Sequence, residues 1–390
     1  MGKEAVSVYE TINELERMSL LKARALVEAR SGGSPLVEYF GRFIPEPLIR
    51  ACGAGVYPLA GGGELASPDA AQDEMLGCMN PLARSIAGGI KLGTDRMSGK
   101  ADIVVTAVTD IHMGRLSELL EFWGVNVFKV GVPSDWQNAI AFGYYINSLR
   151  RMLEAVCRLS GKAMDEGLAR KYIGETNRVN AAFRHIRELR KRSNPPLSFE
   201  SYMRLQHLSF RLCDTAVAAE AVESIRLKLD GADGVYPEGA PRLLLAGRAI
   251  APGDYELLRL IDESGAAVVA EMLDEYVRTS DVDIELDGDL VENFARSRYL
   301  NTIPIDSFQP SWDKRLERIL SLCGEYGCDG VVWYQLAYDE VYDMEYVCLA
   351  KSLAERGIPL LRLETNYSYT PETVALARKQ IENFVGGLRR

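Results

Sequence analysis

No Cys-x-x-Cys pair occurs in the 390 residues, and there are only three histidines. The seven cysteines stand at 52, 78, 157, 213, 323, 328 and 348. They are too sparse for a disulfide framework, and three histidines far apart give no zinc-site spacing. Cys323 and Cys328 flank Gly-Glu-Tyr-Gly, a spacing met in some iron–sulfur proteins, but no third cysteine follows at the required distance. Both are therefore expected as small buried residues. Long basic runs are also missing. With 45 Lys+Arg against 55 Asp+Glu the net charge is -10, which argues against nucleic acid as a partner. The densest basic stretch, 184–192, also carries Glu188 and reads as the wet face of a helix. No apolar run approaches the roughly 20 residues of a membrane span, and Met1-Gly2-Lys3-Glu4 opens no apolar signal core. A cytoplasmic protein without a membrane partner is expected.

What is present is a balance: 47% hydrophobic and 26% charged residues, as in a soluble globular chain. The length suggests two or three domains. Helical spacing of Ile12, Leu15, Met18, Leu21 and Ala25 predicts a helix over 5–30. Apolar runs at 56–59, 101–108 and 125–132 read as strands, with helices over 68–92, 114–123 and from a cap at Ser134 or Asp135 to about 159. From 163 to 230 the pattern is helical, broken at Asn194-Pro195-Pro196. Strands follow at 242–246, 266–271, 329–333 and 359–363, with helices at 254–263, 312–326, 344–356 and 371–388. Apolar strands alternating with amphipathic helices imply parallel sheets covered on both faces. The expected division is an N-terminal helical segment 1–36, a first α/β domain 37–160, a helical block 161–238 and a second α/β domain 239–390.

In open parallel sheets ligands sit beyond the carboxyl ends of the strands. Those ends are 61–64, 106–112, 131–134, 247–248, 333–340 and 364–367. Familiar phosphate motifs fail. Gly53-Ala54-Gly55 lacks a third glycine and precedes its strand, and the segment 93–100 has a P-loop-like spacing with one residue too many and no hydroxyl after Lys100.

Three segments carry a resemblance. They are Tyr39-Phe40-Gly41-Arg42-Phe43-Ile44-Pro45-Glu46-Pro47-Leu48-Ile49-Arg50-Ala51-Cys52-Gly53, then Asn80-Pro81-Leu82-Ala83-Arg84-Ser85 with the strand ending Val108-Thr109-Asp110. The third runs from Cys328-Asp329-Gly330 through Asp343-Met344-Glu345-Tyr346 to Gly357-Ile358-Pro359. In this order they resemble the 2-hydroxyglutaryl-CoA dehydratase D-component family, which also holds benzoyl-CoA reductase subunits. The resemblance implies an α/β protein with two flavodoxin-like parallel-sheet domains joined by a helical block. It also implies a paralogous partner subunit, an ATP-dependent activator that donates one electron, and an acyl-CoA substrate. In usual members three cysteines hold an iron–sulfur cluster between the domains. Here the matching positions are Asn80, Thr109 and Asp339 (Tyr338 if the register slips by one), and a fourth, cysteine in some relatives, is Gly41. Clusters are held by thiolates, so this chain is expected to bind no metal, with the 4Fe–4S cluster in the paralogous partner. Cys78 stands two residues from Asn80, but one thiolate does not make a cluster site. The chain would then be the cluster-free subunit of a CoA-thioester dehydratase or reductase, shaping the acyl-CoA pocket or docking the electron donor. The alternative is an assembly, regulatory or ligand-binding protein on the same fold.

Candidate catalytic residues are Glu64, His112, Asp339 and Glu340. A neutral His112 offers a donor to a thioester oxygen. Asp339 and Glu340 offer proton transfer if burial raises one of them, or simply suit a helix start. Glu64 follows three glycines, Gly61, Gly62 and Gly63, which would admit substrate close to the backbone or form a plain turn. Candidate binding residues are Arg84 for a CoA phosphate, Thr109 and Asp110 at a strand end, and the aromatics Trp333, Tyr334 and Tyr338. Glu364 and Asn366 would close the rim.

Overall fold

The structure is a computed structural model that describes residues 3–59, 61–62, 69–75, 77–94, 96–97, 99–274, 281–304, 308, 311–367 and 369–388. Glu64 and Gly63 lie outside the described residues. The chain opens with helix α1 (Lys3–Ser31) and enters strand β1 (Leu36–Phe40). Helix α2 (Glu46–Ala51) returns it to β2 (Gly55–Pro58). Then come α3 (Pro81–Leu92), β3 (Ile103–Val108), α4 (Ile111–Phe122), β4 (Val127–Gly131) and α5 (Ala139–Ser160). All pairings are parallel, in the order β2-β1-β3-β4.

Helices α6 (Glu166–Leu189), α7 (Phe199–Arg211) and α8 (Thr215–Asp230) form the central helical block. The second sheet repeats the plan of the first. Strand β5 (Arg242–Gly247), helix α9 (Glu256–Glu263), β6 (Ala267–Leu273), α10 (Leu290–Ala295) and α11 (Trp312–Tyr326) precede β7 (Gly330–Leu336). Helix α12 (Glu340–Ala354), β8 (Leu360–Thr365) and α13 (Pro371–Leu388) finish it. Its order is β6-β5-β7-β8, again all parallel. The protein is thus α/β, with two four-stranded parallel sheets of flavodoxin-type order. Among the described residues no helix is long and apolar enough to cross a membrane.

Several elements depart from the sequence reading. Strand β1 went unrecognised because Glu38 interrupts Leu-Val-Glu-Tyr-Phe, yet all five residues are buried and the strand is central. The helix expected over 68–92 is regular only from Pro81. Asn80 caps it, accepting from the Leu82 N–H at 2.9 Å, and Pro81 occupies the first turn, where no donor is needed. Helix α5 is capped by Asn138, through the Ile140 N–H at 2.8 Å, and not by Ser134 or Asp135. Helix α12 begins four residues before the expected start at 344, so Asp339 becomes its cap residue.

The helical block is fastened to the second sheet by a buried cation. Arg190, 2% exposed, lies over the rings of Phe199 and Tyr202 at 4.7 and 4.5 Å. It donates to Glu271 and to the Val268 carbonyl oxygen, the latter at 2.7 Å. The two α/β units also touch directly. A Cβ on Gly62 would lie 2.3 Å from the Ala251 Cβ, so the loop after β2 rests against the loop after β5.

Candidate functional site

The strand order places one crevice in each sheet. From β1 the chain steps to β2 on one side and to β3 on the other, so the loops after β1 and β3 diverge around a gap. The loops after β5 and β7 do the same in the second sheet. Asp110 follows β3, Arg248 follows β5 and Asp339 follows β7. The structure brings all three together across the two units.

Local backbone chemistry aims each of them. Asp110 caps α4, its Oδ1 accepting from the Met113 N–H at 2.9 Å, and this turns Oδ2 outward. Thr109 Oγ1 donates to that Oδ2 at 3.3 Å. Gly247 has φ +123°, and a Cβ there would lie 2.1 Å from the Tyr334 carbonyl oxygen. Only glycine permits this crossing; Arg248 N–H then donates to the same oxygen at 2.9 Å. Tyr338 is left-handed, φ 62°, an uncommon conformation for a bulky residue. It stands immediately before Asp339, at the point where the chain turns from β7 into α12.

The resulting cluster is compact. Arg248 Nη2 stands 3.7 Å from Asp110 Oδ2, and Arg248 Nε 3.5 Å from Asp339 Oδ2. The fully buried Asn80 donates through Nδ2 to the same Asp339 oxygen at 3.2 Å. The Asn80 N–H donates to His112 Nδ1 at 3.4 Å, which leaves the ring proton on Nε2. Burial raises the Asp339 carboxyl above its ordinary value. Arg248 pulls it back, and the like charges of Asp110 and Asp274 push it further up. Behind the cluster the Arg248 guanidinium lies 5.4 Å from the Tyr342 ring centroid. Tyr342 O–H donates to Asp274, which Arg315 holds at 2.7 Å.

Thus Asn80, Thr109, Asp110, His112 and Asp339 meet at one point. The other candidates do not join them. Glu340 is exposed at the start of α12. Arg84 is buried and donates to the Gly77 carbonyl oxygen at 3.3 Å, tying the preceding loop to α3. Trp333 and Tyr334 are buried on opposite faces of β7. Trp333 Nε1 donates to Gln335 Oε1 at 3.2 Å, while Tyr334 and Tyr369 both donate to buried Asp254, whose carboxyl burial pushes up to about 6. Tyr338 is half exposed at the rim. Glu364 and Asn366 are exposed at the end of edge strand β8, with Glu364 taken by Arg362 at 2.5 Å. Gly62 belongs to the contact between the two units, whereas a Cβ on Gly61 would meet nothing within 4 Å. Arg248 was missed as a site residue, although it stands at a strand end; the order of the strands was the missing signal.

The donors at the cluster are an amide, a hydroxyl, two carboxylates and an imidazole whose Nδ1 is engaged. A guanidinium already stands beside both carboxylates. That set does not fit an iron–sulfur cluster, which takes thiolates. Among the described residues no group of three or more His, Cys, Asp and Glu converges as a metal cage. Cys78 is exposed on the loop before Asn80. Cys323 and Cys328 are not candidates, because they precede β7 and so lie at the opposite end of the sheet.

Arg248→Met is expected to destabilise the fold by about 2 kcal/mol at pH 7.5, since it leaves two poorly solvated carboxylates without a counter-charge. The separations beyond 3.4 Å keep the effect below that of a tight buried pair. An acid whose folded value is raised favours the folded state at low pH and loses that contribution as pH rises through the folded value. Removing Arg248 raises Asp339 further, so the penalty should shrink toward pH 5. Denaturant titrations at the two pH values check this, and a pH-independent loss would refute it.

The chain matches a family model described as 2-hydroxyglutaryl-CoA dehydratase, D-component, over residues 42–387. It is also similar to a protein of Escherichia coli (strain K12) named "Putative dehydratase subunit YjiM", 23% identical over 366 residues that cover 93% of each chain.

Proposed function

Because the chain belongs to the 2-hydroxyglutaryl-CoA dehydratase D-component family, we propose that it is the cluster-free subunit of a heteromeric CoA-thioester dehydratase or reductase. Members of the family bind iron–sulfur clusters; in this reading the paralogous subunit carries the cluster and an ATP-dependent activator supplies the electron to it. The observation that carries the proposal is the chemistry at the crevice. Oxygen and nitrogen side chains from both units, Asn80, Thr109 and Asp339, converge there around the Arg248 guanidinium.

Such a site suits a thioester. The Asn80 N–H on His112 Nδ1 fixes Nε2–H as a donor, available to a carbonyl oxygen where negative charge develops. Asp339, with its carboxyl raised by burial, can hold a proton near a reacting group. Arg248 adds a fixed positive charge to the same crevice.

The test is anaerobic co-purification with the co-expressed paralogue, separation of the subunits and iron and sulfide analysis of each. Iron is expected on the paralogue alone. Stoichiometric iron and sulfide on this chain would overturn the proposal.

A further inference from the structure

A second recess lies far from the crevice, between α1 and Arg96, Met97 and Lys100. Leu20, Ala23 and Val27 recur at i, i+3 and i+7, so one stripe of α1 forms an apolar floor. Met97, fully buried, closes the opposite side. The recess measures about 430 Å³, within the roughly 300–1,000 Å³ of small-ligand sites, which are mostly apolar with a few placed polar groups. Leu20 remains 43% exposed on it, an apolar surface that α1 leaves open to water.

Its charged rim is of one dominant sign. Among the described residues, Arg24, Arg96 and Lys100 stand against a single acid, Glu28, in a chain whose net charge is -10. Lys100 Nζ donates to the Arg96 carbonyl oxygen at 2.7 Å. Arg24 makes no ion pair among the described residues. Arg96 Nη1 is shielded from solvent and has no hydrogen-bond acceptor there. A shielded guanidinium N–H without an acceptor costs free energy that an anionic ligand group would recover.

We propose that this groove binds a monomeric amphiphile with an anionic head, of the medium-chain carboxylate class. The alkyl chain lies along Leu20, Ala23, Val27 and Met97, and the carboxylate takes Arg96 and Arg24. The proposal is independent of the reading of the crevice. A cationic detergent is repelled by the rim, and a neutral alcohol leaves Arg96 unanswered.

The test is calorimetric titration of the full chain with decanoate, 1-decanol and decyltrimethylammonium, and sedimentation with phosphatidylglycerol vesicles. Saturable one-to-one binding of decanoate is expected, at least tenfold tighter than decanol, with no binding of the cation. Arg24→Glu, an exposed change that leaves the fold intact, should weaken decanoate at least tenfold, and Arg96→Met similarly. Absence of saturable decanoate binding, equal affinity for decanol, or indifference to Arg24→Glu would overturn the proposal. So would co-sedimentation with vesicles without binding of free decanoate, which would point to a membrane surface instead.

Discussion

Arg315→Met is expected to destabilise the protein by about 4 kcal/mol, the range seen when one partner of a buried ion pair is removed. Arg315 is 1% exposed. Its Nε donates to Glu345 Oε1 at 2.6 Å and its Nη2 to Oε2 at 3.2 Å; Nη1 donates to Asp274 at 2.7 Å and to the Pro304 carbonyl oxygen at 3.3 Å. Methionine fills similar space but strips the buried Glu345 carboxylate and the Pro304 carbonyl of the Arg315 donors, and leaves the half-buried Asp274 with the Tyr342 O–H but no counter-charge. Burial already raises the Glu345 carboxyl, and the Arg315 guanidinium opposes that rise. The loss should therefore be larger at pH 8 than at pH 5, where the orphaned Glu345 takes up a proton. Arg315→Lys keeps one charge but loses the planar fork, and an intermediate loss is expected. The combined change Arg315→Met, Asp274→Asn, Glu345→Gln should recover much of the stability, because it removes the charges with their partner. Urea titrations of the four proteins settle the matter. A single variant within about 1 kcal/mol of the parent would show that these carboxylates are hydrated after all. Because Asp274 also holds Tyr342, on whose ring Arg248 lies, the same variants should loosen the crevice.

The fold was legible in the sequence wherever burial was uniform. The apolar runs that became β3, β5, β6 and β7 announced themselves, and α11 and α13 fall where helical periodicity and the first-turn Pro371 put them. Legibility failed where a side chain served tertiary structure. Glu38 disguised the central strand β1, because its neighbours Val37 and Tyr39 had to be recognised as core across a carboxylate. Left-handed Cys213, φ 54°, divides α7 from α8 without any glycine or proline to mark the break. The site was half legible. Thr109, Asp110, His112 and Asp339 follow strand ends, so topology alone nominates them. Arg248 and Asp274 end strands too, but an arginine and an aspartate on different strands acquire a relation only once the order β6-β5-β7-β8 is known. Trp333 shows the converse. The apolar run reads as ending at Trp333, yet the strand continues through Leu336 and carries it into the core.

Restoring sulfur should restore metal. The triple variant Asn80→Cys, Thr109→Cys, Asp339→Cys is expected to take up iron and sulfide on anaerobic reconstitution, with a broad visible absorbance absent from the parent chain. The reasoning is geometric. Asn80 and Asp339 already touch at 3.2 Å, and Thr109 is joined to them through Asp110 and Arg248 at 3.3, 3.7 and 3.5 Å. The positions thus converge from α3, β3 and β7, and what they lack is a soft anionic donor. Removing Asp339 also removes the buried carboxylate that Arg248 neutralises, so the guanidinium is left facing thiolates, whose ionised form it favours. The cost is the Asn80 cap on α3. Cysteine does not replace the acceptor for the Leu82 N–H, and about 1 kcal/mol of stability should be lost. Circular dichroism separates this from unfolding. A folded triple variant that takes up no more iron than the parent would mean that the scaffold has shifted beyond the geometry a cluster needs. Cluster formation in the parent itself would remove the basis for calling this subunit cluster-free.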